Sequence, residues 1–229
     1  MENCKRHVKL FFIRHGFSRA NYYKHKNLLM GILYSTVTLD PRLTNIGIED
    51  LKLHRNLITE NINPDYIFSS GLLRAIQTAQ ILFPNSVINV APHLLEHGFR
   101  KANFPSQPSL QLKHLNQDKV KYKYLGKGNN LDKLFQNRKR QYDRSDFKKF
   151  LKWLQKRVDL NKNLNIAVVG HGNFIKQLLS NSGMSMKEIK NAMVVEIILC
   201  VTDKGLVFSQ DPFRIKFSGI TEPDRKDFI

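Results

Sequence analysis

Cysteine is nearly missing from this sequence: Cys4 and Cys200 are the only two among 229 residues, and they form no metal-ligand or redox spacing. Such sparing use suggests a reducing, cytoplasmic compartment. Long apolar runs are missing too. The longest candidate, Val194–Val201, is interrupted by Glu196, so a transmembrane helix is excluded. A secretory signal is not expected, since Arg14 and His15 follow the apolar stretch Leu10–Ile13 almost at once. No internal repeat and no flexible linker is visible. Acidic residues are scarce, 19 against 37 Lys and Arg. What the chain does have is apolar content, 41% with 15 Phe, which rules out wholesale disorder and allows a substantial core. The length suits one domain, or at most two small ones.

The charge is uneven. Residues 97–158 hold 17 basic and 4 acidic side chains, so +13 of the net +18 comes from this one segment. A lysine-rich solvated surface would account for it. So would an anionic substrate, a nucleic acid or an acidic membrane surface.

The flanks alternate between strand and helix. Val8–Ile13 is a short apolar strand followed directly by Arg14-His15-Gly16. Leu39–Thr44 is a loop ending in an N-cap candidate, and Ile46, Leu53, Leu57 and Ile58 suggest an amphipathic helix from Asn45 to about Glu60. Tyr66–Phe68 is a strand entering Ser69-Ser70-Gly71. The helix after it carries Leu72, Ala75, Ile76, Ala79, Leu82 and Phe83, and Pro84 stops it. Val87–Val90 is a further strand. Residues 98–130, with Pro105, Pro108, Gly126 and Gly128 among lysines, read as an irregular excursion. A helix over about Ser145–Val158 turns Phe147, Phe150, Leu151 and Leu154 inward. Asn165–Val169 is a buried strand, Gly170-His171-Gly172-Asn173 follows, and a helix carries Phe174, Ile175, Leu178 and Leu179. Val194–Val201 and Leu206–Phe208 are closing strands joined at Asp203-Lys204-Gly205. This order implies a single three-layer α/β/α domain with a mostly parallel central sheet. The basic segment is expected over one sheet edge, as an insertion or lid at about 97–145.

Ligands of such sheets bind outside the carboxyl ends of the strands. Two strands here end in His15 and His171, each followed by a glycine that would leave a backbone N–H open to an anion. A third delivers Arg74 in the first turn of its helix. Each feature alone has an ordinary explanation, a structural histidine or an exposed cation. Together, two imidazoles and two guanidiniums at the ends of separate strands suit a phosphoryl group: arginines grip its oxygens and one imidazole attacks phosphorus.

These residues resemble the histidine phosphatase superfamily, the group of phosphoglycerate mutase-like enzymes and many phosphatases. Leu10–Asn21 is similar to its strand and R-H-G-x-S-x-x-N signature, Leu43–Gly47 to its next motif, Phe68–Ala79 to the S-x-x-x-R-A-x-Q-T-A helix start, and Val168–Asn173 to the second-histidine motif. The resemblance covers residues 8–96 and 159–209. It implies a phosphoglycerate mutase-like fold with a basic insertion, a nucleophile at His15, and phosphoryl contacts from Arg14, Arg74 and His171. It also implies assistance from Ser18, Asn21, Gly172 and Asn173, no metal and no cofactor. Glu96 matches the family's proton donor by position, with Asp40 the next acid to consider. Phe17 stands where a glutamate is common. Glu96-His97-Gly98-Phe99 departs from the mutases' E-R-H-Y-G, and only Gln141-Tyr142-Asp143-Arg144 faintly echoes their carboxylate-binding run. A phosphomonoester hydrolase acting on a small or medium anionic substrate is therefore expected over a mutase-like phosphotransferase. A non-catalytic polyanion- or nucleic-acid-binding module, using 97–158, is the third reading.

Overall fold

The first strand in the chain lies in the interior of the sheet. In the computed structural model, which describes Cys4, residues 6–125, 146–181, Met186 and 188–220, seven strands run in the order β4-β3-β2-β5-β1-β6-β7. They are β1 (Arg6–Arg14), β2 (Tyr66–Ser69), β3 (Ile88–Val90), β4 (Val120–Lys121), β5 (Leu164–Gly170), β6 (Val194–Thr202) and β7 (Gly205–Phe217). The five from β4 to β1 are parallel, while β6 and β7 add an antiparallel edge. The helices are α1 (Arg19–Lys26), α2 (Leu28–Val37), α3 (Asn45–Thr59), α4 (Leu73–Leu82), the single turn α5 (Pro108–Gln111), α6 (Phe147–Gln155) and α7 (Gly172–Asn181).

A strand covered on both faces must be apolar at every position, not at alternate ones. Leu10–Ile13 is such a run. Leu10 and Phe12 meet Phe150 and Leu154 of α6 and Phe174 and Leu178 of α7, whereas Phe11 and Ile13 meet Leu51 and Ile58 of α3 and Ala75 and Ala79 of α4. Burying a side chain of this size is worth about 1.5–3 kcal/mol, so this strand alone carries much of the core. The three-layer α/β/α architecture with a mostly parallel sheet follows.

Several expectations need correction. Helix α3 forms where the pattern placed it, capped by Thr44 Oγ1 on Gly47 N–H at 2.9 Å. Yet Leu53 and Leu57 lie exposed, and Gly47, Leu51 and Ile58 face inward. Gly47 explains the rotation: a Cβ there would stand 2.2 Å from the Phe17 carbonyl, so only glycine lets the helix seat this way. Strand β7 continues past Phe208 to Phe217, through Pro212, which an edge strand tolerates. Two helices, α1 and α2, occupy residues where the pattern announced none. Cys4 and Cys200 are not unrelated thiols. The antiparallel register that sets His7 opposite Cys200 brings the two together, with Cα atoms 5.2 Å apart, as a disulfide. The argument for a reducing compartment loses its ground with them.

Within the basic segment, Val120–Lys121 adds β4 beside β3 at one sheet edge, while Ala102 and Asn103 lie against Arg74. Residues 126–145, and with them Gln141-Tyr142-Asp143-Arg144, lie outside the described residues. No described helix is long and apolar enough to cross a membrane.

Candidate active site

Each chemistry-bearing side chain follows the carboxyl end of a parallel strand. β1 ends in Arg14 and His15, β5 in His171, and β2 in Ser70 with Arg74 just inside α4; Glu96 follows β3. Neighbouring parallel strands share their carboxyl ends, which gathers residues distant in sequence onto one rim.

His15 is buried, and its Nδ1 lies 2.7 Å from the Gly16 carbonyl. A carbonyl can only accept, so Nδ1 carries the hydrogen and Nε2 keeps its lone pair. Arg74 Nε donates to that Nε2 at 3.3 Å. Burial first, then the charges of Arg74 and Arg14, hold the His15 pKa well below the ordinary imidazole value, against the opposing pull of Gly16. The ring of His171 lies edge-on to that of His15, with centroids 5.2 Å apart. Its Nε2 pairs with Ser70 Oγ at 2.8 Å, and its buried Nδ1 has no hydrogen-bond partner. Burial, followed by Arg74, His15 and Arg14, pushes this pKa down as well. Glu96 Oε2 stands 3.9 Å from His171 Nδ1, but with the imidazole neutral the contact is not an ion pair. Burial raises the Glu96 pKa, with Arg74, the His97 N–H and Arg14 pulling the other way.

Arg74 is buried and clasped by the start of the basic segment. Its Nη1 donates to the Ala102 carbonyl at 2.8 Å and its Nη2 to Asn103 Oδ1 at 3.4 Å, while Asn103 Nδ2 donates to the His97 carbonyl at 2.9 Å. Arg14 Nη1 donates to the Ile189 carbonyl. Asn191 Nδ2 donates to the His15 carbonyl at 2.8 Å, fixing the backbone behind the ring. Below α4, Asp40 collects four donors: Leu73 N–H and Gln111 Nε2, and both the N–H and hydroxyl of Ser106, all within 2.9 Å. Its carboxylate is therefore spent on the α4 N-terminus and the insertion, not presented to the cleft.

These groups open onto a cleft of about 930 Å³. Arg14, His15, Arg74, Glu96, Ser18, Asn21, Gly172 and Asn173 line it, and His171 sits behind His15. Ser18 and Asn21 form a reciprocal cap at the start of α1, in which Ser18 Oγ donates to Asn21 Oδ1 at 2.7 Å. Asn21 thereby keeps its NH2 to offer. The two glycines after the histidines differ from each other. Gly16 N–H is already given to Thr78 Oγ1 at 3.0 Å, so it is not open to an anion; Gly16 is small because Leu51 Cδ1 would stand 2.6 Å from a Cβ. Gly172 and Asn173 do begin a helix, whose first N–H groups have no intrahelical acceptor.

Ser70, Asn191, Asn103 and the carbonyls of Ala102 and Ile189 escaped the sequence reading. Backbone acceptors leave no trace in a sequence, but Ser70 sat in the strand-end Ser-Ser-Gly and could have been weighed. Among the described residues, the cluster of possible metal ligands is Cys4, His7 and Cys200. It lies at the opposite end of β1 from His15, and its sulfurs are spent on each other.

Two arginines and two histidines thus stand together on the carboxyl rim of a mixed α/β sheet. The chain belongs to the histidine phosphatase superfamily (branch 1), whose family model matches residues 10–198, and it is an enzyme of the phosphatase type. No curated protein matches it by sequence. Among solved structures it is similar to a phosphoglycerate mutase from Bacillus anthracis, at 17% identity over 94% of this chain and 95% of that one, TM-score 0.52. A mycobacterial hydrolase shares 16% identity over 92% and 97%, TM-score 0.51. A phosphoserine phosphatase from Entamoeba histolytica shares 22% identity over 89% and 95%, TM-score 0.47. The family match and the phosphoglycerate mutase structure show the phosphoglycerate mutase-like fold.

Proposed function

We propose that the protein is a phosphomonoester hydrolase that works through a phosphohistidine on His15. The observation that carries this reading is the Nδ1–H bond from His15 to the Gly16 carbonyl, which leaves the Nε2 lone pair facing the cleft between Arg74 and Arg14. A bound phosphoryl group takes over the guanidinium N–H groups, including the Arg74 Nε–H that now rests on Nε2. The two arginines then supply the fixed positive charge that the transferring group needs, in place of a metal ion. With the Ser70 hydroxyl donating to His171 Nε2, the His171 hydrogen stands on the otherwise unpartnered Nδ1, where it serves a phosphoryl oxygen. Asn21 and the N–H groups of Gly172 and Asn173 complete the cradle, with Ser18 holding Asn21.

In the first step His15 Nε2 bonds to phosphorus as the ester oxygen leaves and takes a proton from Glu96. In the second, water attacks the phosphohistidine, Glu96 takes back a proton, and inorganic phosphate departs with His15 restored. A raised carboxyl pKa suits this role, since the acid must hold its proton near neutrality. Bound phosphate dianion opposes the pull of the arginines and raises it further.

The test is rapid quench of the full chain in alkaline denaturant during turnover of p-nitrophenyl phosphate, in parallel with a panel of sugar, nucleotide, inositol and peptide phosphates. Mass spectrometry should find an acid-labile phosphoryl group on His15, and released phosphate should carry one oxygen from labelled water. Transfer to a second hydroxyl with no free phosphate would make it a mutase-like phosphotransferase. No turnover on any ester would leave a polyanion-binding module.

A further inference from the structure

Helix α2 reads L-L-M-G-I-L-Y-S-T-V, without one charged side chain. A helix on a folded domain normally turns an apolar stripe to the core and a polar face to water. This one does not. Leu28, Leu29, Leu33 and Val37 are 63, 75, 58 and 59% exposed, and Gly31 is its one buried residue. Its packing uses other groups. Gly31 rides on Lys24, where a Cβ would stand 2.5 Å from that residue's Cα, and Tyr34 stacks on Tyr23 with ring centroids 4.1 Å apart. α1 and α2 thus form a hairpin whose second helix also meets the turn Lys101–Asn103, with leucines left bare. A contiguous apolar patch of this kind marks an interaction site.

What covers it is argued from charge and position. From Cys4 to Leu39 the chain contains no Asp or Glu, and Arg19, Lys24 and Lys26 stand exposed on α1 beside the patch. The whole chain carries +18. A second copy would bring like charge against like charge. A nucleic acid would meet the cations and leave the leucines in water. An anionic lipid surface satisfies both, since apolar side chains enter the headgroup–acyl boundary while the flanking cations meet the headgroups. The position gives a purpose. Leu28, Gly31, Ile32 and Ser35, spaced i, i+3, i+4 and i+7, line the cleft that holds His15. The helix with the bare leucines is therefore also an apolar wall beside the phosphoryl cradle.

We propose that the α1–α2 hairpin docks on anionic bilayer surfaces and presents the cleft to phosphomonoesters of apolar alcohols seated there. The substrate half rests on the phosphatase reading; the docking half does not.

The full chain is sedimented with vesicles of phosphatidylcholine alone or with about 30% phosphatidylserine, a content that gives a negative surface potential. The wild type should pellet with the anionic vesicles only, and less so in high salt. A Leu29→Glu, Leu33→Glu variant changes two exposed side chains outside the cleft lining. It should lose binding at least tenfold, with kcat on soluble p-nitrophenyl phosphate within about twofold of wild type. Its hydrolysis of dodecyl phosphate carried in those vesicles should fall with the binding. A wild type that stays in the supernatant, or a variant that binds equally well, overturns the docking surface. So does conversion of a dimer to a monomer, which makes a second copy the occupant. A melting point several degrees lower with no vesicle binding to lose makes it the chain's own remaining residues. Vesicle binding with no hydrolysis of either ester overturns the phosphatase reading and leaves the docking surface standing.

Discussion

His15 and His171 are two buried imidazoles kept neutral beside two guanidiniums, which costs stability wherever the unfolded chain can protonate them. Unfolded, each takes a proton near pH 6.5; folded, each has its pKa well below that. The unfolded state binds the extra protons, so stability is full above about pH 7.5 and falls as pH drops through 6.5, by up to about 1.4 kcal/mol per pH unit per histidine. Urea melts between pH 8 and 5.5 check this. A His171→Asn variant should show a shallower slope, and an unchanged slope would mean the ring titrates normally. Catalytically, His15→Ala should leave the circular dichroism spectrum intact and reduce kcat at least a thousandfold, since loss of a nucleophile costs several powers of ten. Glu96→Gln separates proton donation from phosphate positioning. It should cost roughly a hundredfold on alkyl phosphates and far less on p-nitrophenyl phosphate, whose leaving group is stable without a proton. Equal losses on both esters would assign Glu96 to positioning. The side chains of this cluster were legible because each follows an apolar run that could only be a buried strand. Their partners were not. Ser70 under His171 and Asn191 behind His15 are small polar residues whose work depends on which strand lies beside which.

At the scale of elements, α4 has no side-chain cap of its own: Leu72 precedes it, and Asp40 supplies the bond to Leu73 N–H from 33 residues away. The same carboxylate holds Ser106 and Gln111, and Gln111 receives the Tyr122 hydroxyl at 2.7 Å. One buried anion thus ties the helix bearing Arg74 to the described part of the insertion. Asp40→Ala leaves several buried donors without acceptors and should cost about 2–4 kcal/mol in urea unfolding, with KM for any phosphomonoester raised as Arg74 loosens. A loss under 0.5 kcal/mol would mean water substitutes for the carboxylate. The periodic helices were readable from sequence, α6 and α7 down to their inward residues. α3 was readable as a helix but not in its rotation, because a glycine seat against Phe17 outweighed two leucines. α1 and α2 were unreadable because neither carries an amphipathic period to detect: α1 is polar and buries no residue, and α2 is apolar without a charged face.

For the molecule as a whole, positive charge around the cleft should speed capture of anionic substrate. kcat/KM should fall steeply between low ionic strength and about 0.5 M salt while kcat stays nearly constant, because screening acts on encounter and not on bonded groups inside. A flat kcat/KM would reduce the basic segment to solvated surface. The three-layer class was legible because strand and helix alternate, whereas the long-range pairings were not. Those pairings carry a cost during synthesis. β1 leaves the ribosome first, but its neighbours begin at Leu164 and Val194. At roughly 5–20 residues per second, the run Leu10–Ile13 waits on the order of 10–30 s with neither edge paired. This apolar run is thus, for that interval, a natural client for a chaperone that binds short hydrophobic segments. Arg14 and His15 can come into register with Gly170 only after β5 has been made.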